Sequence, residues 1–264
     1  MPSRFVIAAA AVLASLLTPP AHAVGVNEIG LSADQIRSLN AQLTAPAAAP
    51  GIAFGSPVAY GADWGQIFGG IGGQTIPPGG QHSVDGSMLL GLGLGDSQRW
   101  AGVEVSSTII SLTDSIGDAG AWNAKVHRSL SGRASIALGV EDAAGWGDAS
   151  RTNTSTYVVY TQALDLAPQS ARAPMPLVFN VGVGDERFAD PGSNSFGLFG
   201  SVSVHPHRQL SVIADWTGRD LNAALSLVPL RAWPVVLTLG AINLAGRFDK
   251  DAEFAGGLGF LYQF

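Results

Sequence analysis

From Ala62 onward the chain repeats one pattern twelve times: about ten residues of alternating apolar and small or polar character, then a cluster of turn residues. A period of two puts alternate side chains on opposite faces of a strand. The segments run near 62–72, 86–95, 100–112, 120–130, 133–143, 155–166, 176–187, 196–205, 209–217, 220–230, 234–245 and 253–264. About ten residues is the length that a tilted strand needs to cross a bilayer.

Several segments have two clearly different faces. In 101–111, Ala101, Val103, Val105 and Ile109 oppose Glu104, Ser106 and Thr108. In 210–216, Leu210, Val212, Ala214 and Trp216 oppose Ser211 and Asp215, and in 221–229 Leu221, Ala223, Leu225 and Leu227 oppose Asn222 and Ser226. Segment 155–166 alternates poorly and its faces stay unassigned. Connection lengths alternate as well. Counted back from the C-terminus, the connections 246–252, 218–219, 188–195, 144–154, 113–119 and 73–85 fall on one side. The set 231–233, 206–208, 167–175, 131–132 and 96–99 falls on the other and is mostly shorter. Short periplasmic turns and longer external loops are the habit of outer-membrane barrels. On this count Trp64, Trp100, Trp233, Tyr262 and Phe264 sit at the periplasmic boundary. Trp122, Tyr157, Phe188, Trp216 and Phe254 sit at the external one, as two girdles of aromatic rings would.

The two ends agree. Arg4, the uncharged apolar run Phe5 to Leu17 and Ala21-His22-Ala23 read as a signal peptide cleaved after Ala23. The run is too short for a transmembrane helix of about 20 residues. At the other end Phe254, Leu258, Phe260, Tyr262 and Phe264 share one face of a strand that stops on a terminal Phe. Between the signal and the barrel, residues 24–61 differ. Ser32-Ala33-Asp34-Gln35 opens a short helix with Ile36, Leu39 and Leu43 on one face, an Ala/Pro linker follows, and Gly51 to Tyr60 lacks alternation. This leader is expected in the periplasm, either packed against or inside the barrel mouth or as a free tail.

Composition narrows the partners. Without Arg4 the balance is 13 basic to 20 acidic residues, net −7, which disfavours nucleic acid and polyanionic cargo. There is no cysteine, hence no disulfide framework or thiolate metal site. Charged residues make up only 13% of the chain and no run of 18 apolar residues follows the signal. That leaves strands, not helices, as membrane spans.

The signal end and the closing strand together resemble bacterial outer-membrane β-barrel proteins as a class, over residues 62–264. The hairpin Asp215-Trp216-Thr217-Gly218-Arg219-Asp220-Leu221-Asn222 is similar to little-characterised members of that class. The resemblance implies an all-β, twelve-stranded antiparallel transmembrane barrel behind a short periplasmic leader. It also implies outer-membrane lipid as a partner, and recognition of Phe264 and the closing strand by the barrel-assembly machinery. It implies no activity, because such barrels host pores, lipases, proteases and anchors.

Chemistry-bearing motifs are few. His127-Arg128-Ser129 has the His-x-Ser spacing of a twelve-stranded outer-membrane phospholipase family, but it lies near the Ser131-Gly132 turn on the periplasmic side, whereas that family places the pair externally. His127 shares its face with Asn123, Lys125 and Ser129, which reads as lumen lining. His205-Pro206-His207 lacks a third metal ligand. Gly69-Gly70-Ile71-Gly72-Gly73 and Gly91-Leu92-Gly93-Leu94-Gly95 open no helix and are not phosphate loops. Asp185, Glu186 and Asp190 read as a solvated loop. No catalytic residue, metal or cofactor is assigned. What remains is a lumen set of mixed sign: Glu104, Asn123, Lys125, His127, Glu141, Asn180, Asp215, Asn222 and Thr238. Glu104 is expected to lie opposite residue 127 or 129. The set reads either as a weakly selective lining for small polar or neutral solutes or as a satisfied polar core that closes a narrow barrel. The corresponding functions are a small channel and a closed structural or interaction barrel that binds another envelope component, with an outer-membrane hydrolase third.

Overall fold

The computed structural model describes residues 49–75, 84–110, 112, 116–166, 175–230, 233–249 and 251–264. The expected signal peptide and leader helix lie outside them. Twelve strands follow one another: β1 Gln66–Thr75, β2 Val84–Gly95, β3 Gly102–Ile110, β4 Gly120–Ser131, β5 Ala134–Trp146, β6 Ser155–Asp165, β7 Pro176–Gly184, β8 Gly197–His207, β9 Leu210–Trp216, β10 Leu221–Leu227, β11 Val235–Ile242 and β12 Glu253–Gln263. Each pairs antiparallel with its neighbours in sequence, and β1 pairs with β12 to close the barrel. The closing seam runs from Gln66↔Gln263 through Ile71↔Leu258. The Phe264 N–H extends it by donating to Gly65 O at 2.8 Å.

Both ends of the strand series lie at one end of the barrel, here called proximal; the other end is distal. Most strands begin and end within two or three residues of the alternating segments. The largest displacement is at the start of β1, which begins at Gln66, because Asp63 O and Gly95 O bind the N–H groups of Gln66 and Trp64 in a turn. The Thr217–Asp220 connection is a two-residue hairpin turn. Gly218 has φ +97°, Thr217 N–H donates to Asp220 O at 3.0 Å, and Trp216 pairs with Leu221. That positive φ is what a tight hairpin turn demands and what glycine tolerates.

The outer wall is apolar across several strands. Val204, Val212, Leu225 and Leu239 lie side by side from β8 to β11, and Leu225 is 54% exposed. Trp100, Trp233, Tyr262 and Phe264 are exposed towards the proximal end, Trp122 and Phe254 towards the distal end. Tyr157 and Phe188 depart from the expected outer girdle. Both are buried inside the lumen, where Phe188 stacks on Phe199 at 4.4 Å and Tyr157 meets both rings edge-on. Together with Ala59, Ala137 and Val159 they form a buried apolar core. This explains why segment 155–166 showed no usable alternation. Ser155, Tyr157, Val159, Thr161 and Ala163 of β6 face inward, and Tyr157 and Val159 meet an apolar core there rather than water.

The β3–β4 register also differs from expectation. Glu104 pairs with Lys125, and Gly102 with His127. Pairing in that hairpin ends at Ile109↔Gly120, so it is centred earlier than the loop bounds suggested. A slip of two residues leaves every side chain on its expected face. Asn123 sits at a bulge where the β4–β5 register shifts; its Oδ1 accepts the Asp142 N–H at 3.0 Å, and Asp142 has φ +53°.

Candidate functional site

An eight-stranded barrel is just filled by its own side chains, and a sixteen-stranded one leaves an aqueous channel. Twelve strands lie between. Here many inward positions carry Ser, Ala or Gly, so lumen side chains alone leave space. A stretch of main chain occupies it. Residues Gly51 to Ala62 form no strand and run through the lumen as a loop that enters and leaves at the proximal end.

The ascending limb is short. The Gly51 N–H donates to Ser226 Oγ at 2.8 Å, Ser211 Oγ donates to Gly51 O at 2.6 Å, and Ser201 Oγ donates to Ile52 O at 2.8 Å. Ser211 is the second residue of β9 and Asp215 the second from its end, so the chain climbs most of the barrel between residues 51 and 54. At the distal apex, Asp215 Oδ2 accepts Phe54 N–H at 2.8 Å, Ser56 N–H at 3.3 Å and Ser56 Oγ at 2.7 Å. Asn222 Nδ2 donates to Phe54 O, Asn180 Nδ2 to Pro57 O, and the Arg187 guanidinium to Gly55 O.

The descending limb returns past Thr161 Oγ1, which accepts the Ala59 N–H at 2.8 Å. Lys125 Nζ donates to Tyr60 O at 2.9 Å, and Glu104 Oε2 accepts the Ala62 N–H at 3.0 Å. His127 Nε2 lies 3.1 Å from Ala62 O. A carbonyl only accepts, so Nε2 carries the proton in this bond. Glu104 and Lys125 form an ion pair at 3.1 Å with little exposure. Glu104 thus lies opposite Lys125 rather than residue 127 or 129, and it and His127 each bind Ala62, at its N–H and its C=O. The loop fits closely against the wall: a Cβ at Gly93 would sit 2.3 Å from the carbonyl carbon of Ala62. Pro50 and Pro57 bring no N–H to satisfy, which suits a segment without a sheet partner.

Of the lumen set, Glu104, Lys125, His127, Asn180, Asp215 and Asn222 hold the loop directly. The other three serve the wall. Asn123 Nδ2 donates to Thr108 Oγ1, Glu141 pairs with Arg187, and Thr238 shares a hydrogen bond with Ser226. The residues missed by sequence reasoning are Ser201, Ser211, Ser226, Thr161 and Arg187. For the four hydroxyl residues the signal was present, since each falls on an inward position of its strand, whereas Arg187 lies in the turn after β7 and carried none. A small hydroxyl there reads as filler until a backbone arrives to bind it.

Comparison with protein-family models, with curated proteins and with solved structures gave no match. What this barrel does has to be read from its own residues.

The remaining motifs have separate partners. Ser129 Oγ donates to Ser131 O at 2.8 Å while His127 Nε2 serves Ala62, so the His-x-Ser pair makes no nucleophile–base contact through these atoms. His205 bonds Ser203, and His207 Nδ1 accepts from Gln209 N–H. Asp185 accepts from Thr156, Glu186 from Asn153, and Asp190 pairs with Arg247. Among the described residues no group of three His, Cys, Asp or Glu is placed to hold a metal ion.

Proposed function

We propose that this protein is an integral outer-membrane barrel that forms a passage for small polar solutes and is held shut at rest by its own residues 51–62. Insertion in a lipid membrane is supported by the exposed apolar rows of the wall, which would cost solubility in water, and by the exposed aromatic residues towards both ends.

The observation that carries the gated reading is the nature of the closure. Side chains that would line an open lumen hold the loop, and no strand pairing fixes it. Water can replace each such bond when it breaks, and a segment without a sheet partner regains conformational freedom when it leaves the lumen. Ala59 is the loop's contribution to the aromatic core. The same core favours a second reading, a permanently closed structural or interaction barrel.

A reversible lock separates the two. The chain has no cysteine. A Cβ at Gly51 would lie 3.5 Å from Ser226 Cβ, within the ~3.5–4.5 Å that a disulfide spans. In planar bilayers the wild type is expected to be quiet with brief openings. The oxidised Gly51→Cys/Ser226→Cys protein should stay silent until reduced, and a barrel lacking residues 51–62 should conduct steadily. A folded deletion variant that never conducts would favour the permanently closed barrel, and steady current through the oxidised lock would exclude the loop as the gate.

A further inference from the structure

Above the apex of the loop, at the distal end, lies a cavity of about 890 Å³. Sites for small molecules typically enclose ~300–1,000 Å³. Phe54 and Gly55 of the loop border it on one side, and Gly55 is exposed there. The opposite wall is β1 against β12, where the inward pair Gly72↔Gly257 presents backbone without side chains. The result is a slot bordered by the half-buried Phe54 on one side and by a glycine patch, Gly72, Gly257 and Gly259, on the other.

Among the polar groups around the slot, Thr217, Asn222 and Thr238 are already hydrogen-bonded within the protein, and the amides of Gln74 and Asn243 and the hydroxyl of Ser87 are left for a ligand. These groups both donate and accept hydrogen bonds. Two cations also border it, but both are committed. Arg187 is paired with Glu141 and donates to Gly55 O, and Arg219 donates to Ala189 O and Glu186 O. The Arg187 charge is offset by Glu141, and the lining carries one further cation and one acid, Arg219 and the buried Asp220, so the pocket has no net charge to attract an ion. The slot therefore matches a ligand that is neutral, rich in hydroxyl groups and able to lay an apolar face against Phe54.

We infer that this cavity is a binding site for a neutral polyhydroxylated solute of mono- to trisaccharide size, seated against Phe54 at the apex of the closing loop. As the first station of a passage it rests on the gated reading above; as a binding site it does not need conduction. The probe is raffinose, a neutral trisaccharide, titrated by calorimetry into the purified full barrel in micelles of a sugar-free amine-oxide detergent. Sodium sulfate is titrated in parallel.

Raffinose should bind with millimolar affinity and sulfate should not. A Cβ at Gly259, also on the lining, would touch only Gly69 O at 3.7 Å, so Gly259→Leu can be accommodated and projects into the slot. It should weaken raffinose binding by about tenfold or more while leaving the heat-modifiable, folded fraction unchanged. Gly72→Leu, whose Cβ would lie 3.3 Å from Gly256 O, is the second filled variant and decides the matter should Gly259→Leu not fold. Absence of raffinose binding to the wild type, undiminished binding to the folded filled variants, or preference for sulfate would each overturn the assignment. A silent barrel that binds raffinose would remove the passage and keep the site. A conducting barrel indifferent to raffinose would do the reverse.

Discussion

Asp215 accepts two backbone N–H groups and a hydroxyl on one carboxylate oxygen while only 1% exposed, and its other oxygen has no hydrogen-bond partner among the described residues. A charged acceptor strengthens each of those bonds. Asp215→Ala would leave three donors at the loop apex without their acceptor, at about 1–3 kcal/mol for each that water does not reach. The expected outcome is a lower unfolding midpoint together with more frequent openings in the bilayer. An unfolding midpoint and an opening frequency both like the wild type would show that Asp215 does not latch the loop. The residue was legible beforehand as a lumen carboxylate, because Ser211, Asp215 and their apolar neighbours alternate cleanly along β9. Its role was not, since the three donors come from residues 54 and 56, some 160 positions away, and no local pattern links them.

At the level of strands, the periodicity placed all twelve elements, because each is a tilted run with an outer apolar face. It failed on β6, whose inner face is apolar too. The closing strand is the element with a test of its own. Phe264 places its N–H on Gly65 O, next to the β1–β12 seam, while its ring is exposed. Removing Phe264 should reduce the yield of heat-modifiable barrel without changing the conductance of the molecules that do fold. Unaltered yield would show that the terminal residue is dispensable for assembly. The wall of β10 offers a second test. Leu225 lies at mid-strand between Val212 and Leu239 and is exposed. On the proposal that this wall faces lipid, Leu225→Arg should destabilise the folded barrel in vesicles by about 2–4 kcal/mol. A change within about 0.5 kcal/mol, as for ordinary surface substitutions, would mean that this face meets water.

For the whole molecule, the decisive quantity is the fit between barrel and loop. Twelve strands enclose more volume than their inward side chains fill, and a dozen residues of main chain take up part of the remainder, leaving cavities of about 890 and 490 Å³ beside them. The sequence by itself determined the strand count, the closed antiparallel order, the faces of most strands and six of the side chains that hold the loop. All of these follow from a period of two and from connection lengths, which are local properties of a chain. Only the tertiary structure decided that residues 51–62 run through the lumen and that Tyr157 and Phe188 turn inward. It also decided that one side of the interior is packed with apolar side chains while a slot with a glycine patch remains on the other. Those features depend on which surfaces face each other across the barrel. An inward serine has the same local sequence signature whether it binds water or the backbone of a distant segment, so its partner is fixed only when the barrel closes around it.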